Sequence, residues 1–226
     1  MFASALSAPP LPSFEPVAYL REGVRRYSGR VRDSVAYARV RLDPALGNAI
    51  ADAYLAAPGR DERAFVAYAE FCAHTMRQYQ FLIGRVEFGG LGVAVRVVDD
   101  DPYPDAAAMV EDVRHRRLRV FASAATGNPH PYLSDGENDM FRAVHDAFGH
   151  AASGRGFDAH GEEAAWLKHG VMYPPLARRA LTTEIRGQTC ALVFRRTGRG
   201  FPEQKAALLP RRFSDRRTVL VDRAAG

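Results

Sequence analysis

The sequence predicts a mainly α-helical fold with a small β element, an α+β domain, on three observations. Long segments repeat their apolar residues every three or four positions, as a helix with one buried face does. Two short segments are instead rich in β-branched residues, which favours strands. The chain has 226 residues, of which 47% are hydrophobic, and this size favours a single domain, residues 1–226, around one core.

Capping residues and apolar spacing mark the helices of the first half. Asp43-Pro44 supplies an N-cap followed by proline at the first helical position, so a helix should begin there and end near position 58. Apolar residues at alternating spacings of four and three predict a longer helix over 65–83. Asp105 should cap a short helix that runs through position 113.

Two short strands and three further helices complete the prediction. Valines alternate with other residues over 85–98, which predicts a strand or hairpin, and 118–121 is a second short strand. A loop rich in glycine, proline and asparagine follows. Beyond it we expect helices at about 139–150, 160–170 and 176–196, the last begun by Pro174-Pro175.

The two ends of the chain differ from the rest in composition. Residues 1–15 contain three closely spaced prolines and predict an extended arm, not a signal peptide. Residues 210–226 form a basic C-terminal end. The chain has 31 basic and 26 acidic residues, a net charge of +5, and all but two of the basic residues are arginine. Because the arginines are interspersed with acids and form no long run, the sequence argues against a nucleic-acid partner.

Composition also bounds the expected setting of the protein. No run of about 18 apolar residues is present, so the sequence predicts no membrane-spanning helix. Cys72 and Cys190 lie far apart and do not make a disulfide framework, so we expect a reducing, cytoplasmic location. The sequence leaves open whether the chain is a monomer or a homodimer.

Two of the seven histidines form the candidate site. His145 and His150 are five residues apart, and on an ideal helix their side chains differ in direction by about 140°. They can bind one ion only if the helix ends or loosens at the second histidine, and Gly149 permits this. Asp146 adds a carboxylate beside the first histidine, where it can orient water or a ligand.

A third candidate ligand lies in the last predicted helix. Glu184 and Gln188 are four residues apart on one face of the helix. The polar segment between them includes Arg186, and such residues do not favour packing in an apolar core. Two imidazoles and one carboxylate are the ligand set of non-heme iron(II) oxygenases. We therefore expect a metal site made by His145, His150 and Glu184. A buried ion pair of Glu184 with Arg186 is the structural alternative.

A second group of polar residues lies between these two segments. His160 and His169 flank Glu162-Glu163, and together they make either a second ligand set or the polar side of a helix. The sequence leaves these two interpretations open.

The histidine segment resembles the catalytic core of the pterin-dependent aromatic amino acid hydroxylases. Their His-Glu-Leu-Leu-Gly-His motif is similar to His145-Asp-Ala-Phe-Gly-His150 here, and their Thr-Val-Glu segment is similar to Thr182-Thr183-Glu184. Leu118-Arg-Val-Phe121 is similar to the strand that precedes the active-site loop. The resemblance covers roughly residues 118–190, about a third of the chain.

The resemblance implies a hydroxylase-like helical metal-binding core. It implies that His145, His150 and Glu184 bind iron(II), and that Asp146 takes the place of the family's glutamate near the pterin and water. Whether this chain uses a pterin or another reductant stays open.

Three functions are compatible with these residues. The first is an iron(II)-dependent oxygenase or hydroxylase that uses dioxygen and acts on a small aromatic or amino-acid-like molecule, with Asp146 as a catalytic residue. The residues expected to bind the substrate are Arg119, Arg186 and Gln188, since arginine forms paired hydrogen bonds with carboxylates. The second is a zinc hydrolase that uses the same ligands, with Asp146 or Glu163 as general base. The third is a non-catalytic basic domain whose arginines contact phosphates.

Overall fold

The predicted helices are present in the computed structural model, which describes residues 13–29, 34–195 and 200–222. The chain is mainly helical, as the sequence predicts. The α-helices are α1 (Ala18–Ser28), α2 (Pro44–Ala56), α3 (Phe65–Ile83), α4 (Ala106–Arg114), α5 (Asp135–His145), α6 (Ala159–His169), α7 (Pro175–Thr182) and α8 (Gln188–Phe194). Of these, α1 has no counterpart in the sequence prediction.

The capping signals work as the sequence predicts. The Asp43 side chain accepts a hydrogen bond from the Leu46 amide, and Pro44 occupies the first position of α2. The Asp105 side chain does the same for Ala108 at the start of α4. Each cap satisfies an amide that has no partner within its own helix.

The small β element consists of two pairs of short strands. β1 (Val40–Arg41) pairs antiparallel with β4 (Leu220–Val221), and β2 (Ala94–Val98) pairs parallel with β3 (Arg117–Phe121). In the second pair Val95 lies opposite Leu118, and α4 makes the crossover between the strands. Parallel strands need such a connection.

The hairpin alternative for 85–98 is wrong. Val86–Phe88 form a 3₁₀ turn, and Gly89 then adopts a positive φ of 85°. The following residues bind the end of α3, since the Leu91 and Val93 amides donate to the Phe81 and Leu82 carbonyls. Strand pairing therefore begins only at position 94.

The main core lies where α3 packs against α5 and α7. Phe71 of α3 is fully buried between two rings, with its centroid 5.0 Å from that of Phe141 and 5.3 Å from that of Tyr173. A smaller apolar cluster joins α2 to α8 and includes Ile50 and Tyr54. The buried residues thus form one continuous core and one satellite cluster. In α3 the apolar spacing predicts the wrong buried face, because Phe65, Met76 and Ile83 of that repeat are exposed and the neighbouring face with Phe71 is buried instead.

The helices predicted at 139–150 and 176–196 both contain a turn of π-helix. One runs over Asp146–Ala151 at the end of α5, and the other over Thr183–Gly187 between α7 and α8. Both pack against α6. A π-turn is rare and often lies at a functional site, and these two hold the residues singled out in the sequence.

Both ends of the described chain take part in the fold. The Phe14 amide donates to the Gly154 carbonyl; the first twelve residues of the predicted arm lie outside the described residues. In the basic C-terminal end, Arg211–Ser214 and Arg216–Thr218 form 3₁₀ turns that lead into β4. No helix among the described residues is long and apolar enough to cross a membrane.

Candidate metal centre

A cavity of about 340 Å³ contains the candidate site. Side chains of α5, of both π-turns and of α6 line it, together with loop residues around 101–103, 126–128 and 201–204. Its ionisable lining residues are Asp101, Tyr103, Arg142, His145, Asp146, His150, Glu162 and Glu184. The cavity is within the size range of small-molecule sites.

The π-turn brings the two histidines together. His145 and His150 lie with ring centroids 4.8 Å apart and planes at 75°. Residues five apart share a face of a π-helix, whereas on an α-helix they diverge. The predicted loosening of the helix is therefore confirmed, and it takes the form of one wide turn.

Gly149 leaves the space that this turn needs. A Cβ at this position would lie 3.0 Å from Nδ1 of His145 and 3.1 Å from the Cβ of Ala165. Any larger residue would push either the imidazole or α6 away. The glycine is thus required by close packing between the two helices.

The main chain fixes the tautomer of His150. Its Nδ1 lies 3.1 Å from the carbonyl oxygen of Arg155, which can only accept, so Nδ1 carries the hydrogen. The Arg155 side chain is itself buried and donates to the carbonyls of Tyr37 and Val40. The remaining nitrogen of His150, Nε2, faces the cavity cluster with a lone pair available in the neutral ring.

Glu162 is the carboxylate that meets both imidazoles. Its Oε1 lies 3.3 Å from Nε2 of His150 and its Oε2 lies 3.3 Å from Nε2 of His145. One ligand atom from each of the three residues falls within 4.8 Å of the others. Two imidazoles and one carboxylate thus form a group that could hold a metal ion.

The start of α6 positions Glu162. Asp158 caps this helix by accepting from the amides of His160 and Gly161. Gly161 allows the preceding loop to fold tightly against the helix, because a Cβ there would lie 1.9 Å from the Gly156 carbonyl oxygen. Glu162 follows in the first turn, where the helix dipole favours a negative charge.

The charges in this cluster fit a cation. Burial alone would lower the pKa of His150, but the Glu162 carboxylate raises it above its ordinary value. Burial alone would raise the pKa of Glu162, but His150 and His145 hold it well below its usual range. A neutral Nε2 lone pair facing a carboxylate is repulsive, so the group requires a proton or a metal ion between these atoms. The Nδ1 of His145 is buried and has no hydrogen-bond partner among the described residues.

Glu184, the carboxylate predicted as the third ligand, lies elsewhere on the same cavity wall. It is 5% exposed, and its Oε1 accepts from the Tyr68 hydroxyl at 2.5 Å and is 3.1 Å from Nε2 of His130. The amides of Tyr132 and Leu133 donate to Nδ1 of His130, so its Nε2 carries the hydrogen. The group of possible ligands among the described residues contains Glu162 and not Glu184.

Arg186 does not line the cavity, contrary to the prediction. It is 1% exposed and forms a bidentate ion pair with Glu163, with its Nε 2.7 Å from Oε2. It also donates to the Phe213 carbonyl and lies 3.9 Å over the ring of Trp166. The alternative of a buried ion pair between Arg186 and Glu184 is therefore wrong, and Arg186 pairs with Glu163 instead. Glu163 is buried in this pair and does not line the cavity, so it is not placed to act as a general base there.

Arg119 is likewise outside the cavity lining. Its guanidinium pairs with Asp112 at 3.1 Å and lies 4.6 Å over the ring of Tyr103. β3 alternates its side chains between two sides, and position 119 is on the exposed side while Leu118 and Val120 are buried.

Asp146 and Gln188 do line the cavity, as predicted. Burial raises the pKa of Asp146, Glu162 raises it further, and the two neighbouring histidines oppose the rise. Gln188 donates to Oε2 of Glu184 at 3.2 Å. The roles expected for these two residues stay predictions.

Arg142 is the guanidinium that does line the cavity, and the sequence analysis missed it. Its Nε donates to Oγ of Ser123 at 3.3 Å, and its two terminal nitrogens have no hydrogen-bond partner among the described residues. Its position three residues before His145, on the helix that carries this histidine, is the signal that could have identified it.

His160 and His169 do not form a second ligand set among the described residues. Nδ1 of His160 accepts from the Leu42 amide, and Nε2 of His169 donates to Oε1 of Gln78 at 2.7 Å. Burial holds the pKa of His169 well below its ordinary value, and His145 and His150 lower it further.

No protein-family model, curated protein or solved structure matches the chain. The likeness to the aromatic amino acid hydroxylases therefore depends on the motif residues alone.

Proposed function

We propose that the chain is a mononuclear non-heme iron(II) oxygenase or hydroxylase. The observation that carries the proposal is the convergence of His145, His150 and Glu162 on the wall of a cavity of about 340 Å³. Such a ligand set leaves coordination positions open toward the cavity. Iron(II) bound there would supply the activation of dioxygen.

The overall reaction requires a reductant. Insertion of one oxygen atom into a substrate C–H bond releases the other as water, and this consumes two electrons and two protons besides those of the substrate. The resemblance to the hydroxylases favours a tetrahydropterin as the electron donor. Nothing in the cavity lining selects it over another two-electron donor of similar size.

Asp146 is the residue that we assign to proton transfer. It lies next to His145 in the π-turn and lines the cavity. In the metal-free protein, burial raises the pKa of this carboxyl group, which favours its holding a proton. In this proposal it delivers a proton to the oxygen that leaves as water.

The cavity lining favours a substrate with an apolar body and an anionic group. Aromatic side chains form much of the wall: Tyr103, Phe121, Phe141, Phe157 and Phe201. The unpartnered terminal nitrogens of Arg142 suit a carboxylate, which they can bind in a paired fork. This arrangement supports the expectation of a small aromatic or amino-acid-like substrate, with Arg142 in the role first expected of Arg119 and Arg186.

A zinc hydrolase is the second candidate, and Asp146 is the observation that favours it. A carboxyl group with a raised pKa beside three metal ligands is also the arrangement of a general base that activates water. Imidazole and carboxylate ligands suit both metals.

Metal analysis and oxygen consumption test the proposal. Wild-type protein and a His145→Ala variant are purified without added metal, and their iron and zinc contents are measured. Both are then loaded with iron(II) anaerobically and exposed to dioxygen with tetrahydropterin or ascorbate. We expect iron in the wild type, several-fold less in the variant, and oxygen consumption that only the wild type supports.

Two results would contradict the proposal. Equal and negligible iron in the two proteins would show that the cluster does not bind iron. Zinc retention together with no oxygen consumption under any condition, and with hydrolysis of a chromogenic ester, would favour the hydrolase.

A further inference from the structure

A second concave surface lies apart from the cavity and shares none of its lining residues. It is a cleft of about 850 Å³ between the start of α7 and the two C-terminal 3₁₀ turns. We call it the arginine cleft, after the six arginines that line it: Arg178, Arg179, Arg211, Arg212, Arg216 and Arg217. Asp215 is its one acidic lining residue.

Two segments far apart in sequence create this concentration of charge. Arg178 and Arg179 belong to α7, whereas the other four arginines follow position 210. The segments are held together because the Arg179 side chain donates to the Leu209 carbonyl and Phe213 is buried beneath the turns. The acid in the cleft neutralises little of the charge, since Asp215 already pairs with Arg217 at 2.7 Å.

Several donors in the arginine cleft lack acceptors. Nε of Arg179 and Oγ of Ser214 are buried without a hydrogen-bond partner among the described residues. Arg211 is exposed and Arg212 lies over the ring of Phe213 at 4.6 Å, and neither forms an ion pair with a described carboxylate. Buried donors without acceptors are costly, and here they share one surface with exposed guanidinium groups. A ligand rich in acceptors and negative charge would pair with the exposed guanidinium groups of Arg211 and Arg212.

We propose that the arginine cleft binds the phosphodiester backbone of a nucleic acid. Guanidinium groups match the oxygens of a phosphate in paired hydrogen bonds. Arg178 and Arg216 already donate to main-chain carbonyls and add their charge to the cleft. Six positive charges against one carboxylate in a cleft of this size exceed what one phosphate group needs, and they suit successive phosphates along a strand. None of the lining residues is aromatic, so the cleft offers no surface on which bases could stack. Binding is thus independent of the nucleotide sequence and directed at the phosphodiester backbone.

This inference does not depend on the metal site. The cavity and the arginine cleft have no residue in common. A chain that binds no iron can still bind nucleic acid through the cleft.

Fluorescence anisotropy with a labelled 20-base-pair duplex of arbitrary sequence tests the proposal. The affinity is measured between 50 and 300 mM salt for the wild type and for the double variant Arg211→Gln/Arg212→Gln. The matched control is Arg21→Gln/Arg96→Gln, which removes the same charge from exposed arginines of α1 and β2. Thermal unfolding followed by circular dichroism checks that all three proteins fold alike.

We expect duplex binding that weakens steeply with salt. The cleft variant should bind at least tenfold more weakly at 100 mM salt. The slope of log affinity against log salt should fall by about 2, because each lost phosphate contact removes roughly 0.9. The duplex affinity of the control variant should stay within about threefold of that of the wild type.

Three results would overturn the proposal. The first is undetectable binding of the duplex by the wild type. The second is an equal loss of duplex affinity in the cleft variant and the control. The third is displacement of the duplex by ATP at equimolar phosphate concentration. The last result would assign the cleft to a free nucleotide.

Discussion

Nε2 of His150 and Oε1 of Glu162 face each other at 3.3 Å, while Nδ1 of the same imidazole is committed to the Arg155 carbonyl. The imidazole therefore presents either a hydrogen or a bare lone pair to the carboxylate. Only a cation between the two atoms makes the contact favourable, and a proton and a divalent metal ion are the two candidates. Because a proton and a divalent metal ion compete for this position, metal affinity and folding stability should both depend on pH.

Glu162 and Glu184 offer a matched pair of substitutions. We expect Glu162→Gln to weaken zinc or cobalt binding at least a hundredfold, because it removes the carboxylate that lies 3.3 Å from both imidazoles. Glu184→Gln should change the affinity less than threefold, since Glu184 contacts Tyr68 and His130. Titration against a chromophoric chelator measures both. The opposite ranking would return the ligand role to Glu184, as the sequence predicts.

Metal affinity should depend on pH through His150. Its pKa lies above the ordinary value of 6.5 because of Glu162, so lowering the pH through that raised value protonates Nε2. Affinity for zinc should then fall about tenfold per pH unit for each proton displaced. Isothermal titration between pH 5.5 and 8 in buffers of different ionisation heat measures the proton release. Affinity that stays constant across this range would show that His150 is not a ligand.

The contribution of His150 to the folding stability of the metal-free protein should decrease as the pH rises, whereas metal affinity should increase. A raised histidine pKa contributes stability that is complete below pH 6.5 and is lost as the pH rises through the folded value. Glu162, whose pKa is lowered from 4.5, contributes stability above that value and loses it at lower pH. The difference in unfolding free energy between wild type and Glu162→Gln should therefore be largest between about pH 4.5 and 6.5. Urea unfolding across pH measures it, and a difference that is independent of pH would contradict the ion pair.

Gly149 should tolerate no side chain. Gly149→Ala places a Cβ about 3 Å from the His145 ring, so we expect a loss of roughly 1–3 kcal/mol in stability and at least tenfold weaker zinc binding. Gly136→Ala is the control on the same helix, where a Cβ meets nothing within 4 Å. It should stabilise the protein by up to about 1 kcal/mol and leave zinc binding unchanged. Equal zinc affinity in the two variants would contradict the close packing inferred at Gly149.

The buried pair of Arg186 and Glu163 should be structural. Arg186→Met leaves the Glu163 charge buried without a partner, so we expect a loss of about 3–5 kcal/mol in unfolding free energy. Arg195→Met breaks a partly exposed pair with Asp52 and a hydrogen bond to Asn48, and it should cost about 1 kcal/mol. Urea unfolding measures both, and zinc affinity below the unfolding transition should be unchanged. A large loss of metal or substrate affinity without a loss of stability would restore Arg186 to the site.

Arg142 should select anionic ligands. Benzoate binding to metal-free protein should weaken at least tenfold in Arg142→Gln, while Arg119→Gln, which alters an arginine outside the cavity, should bind as the wild type does. A tenfold loss corresponds to about 1.4 kcal/mol. Neutral benzamide should not distinguish the three proteins in calorimetric or NMR titrations. Benzoate binding that is insensitive to Arg142→Gln, or absent from the wild type, would contradict this role.

The sequence by itself determined the local features of this protein. Asp43 and Asp105 cap their helices as predicted, and the apolar spacing over 65–83 gives α3 its bounds. The five-residue spacing of His145 and His150, with Gly149 between them, was enough to predict that the helix must loosen. Caps and helix bounds depend on neighbours a few residues away, so the sequence contains them. The buried face of α3 depends on the helices packed against it, and the apolar spacing predicts the wrong one.

The tertiary structure decided which distant residues meet. Glu162 and Glu184 are both acids on helices that line one cavity, and only the packing of α6 against the π-turn brings Glu162 to the imidazoles. The same packing pairs Arg186 with Glu163, away from the cavity, and places Arg142 on the cavity wall. The arginines of α7 and the C-terminal turns likewise form one cleft although no long basic run exists. Such contacts are set by how whole helices pack, and the spacing of residues along the chain does not encode them.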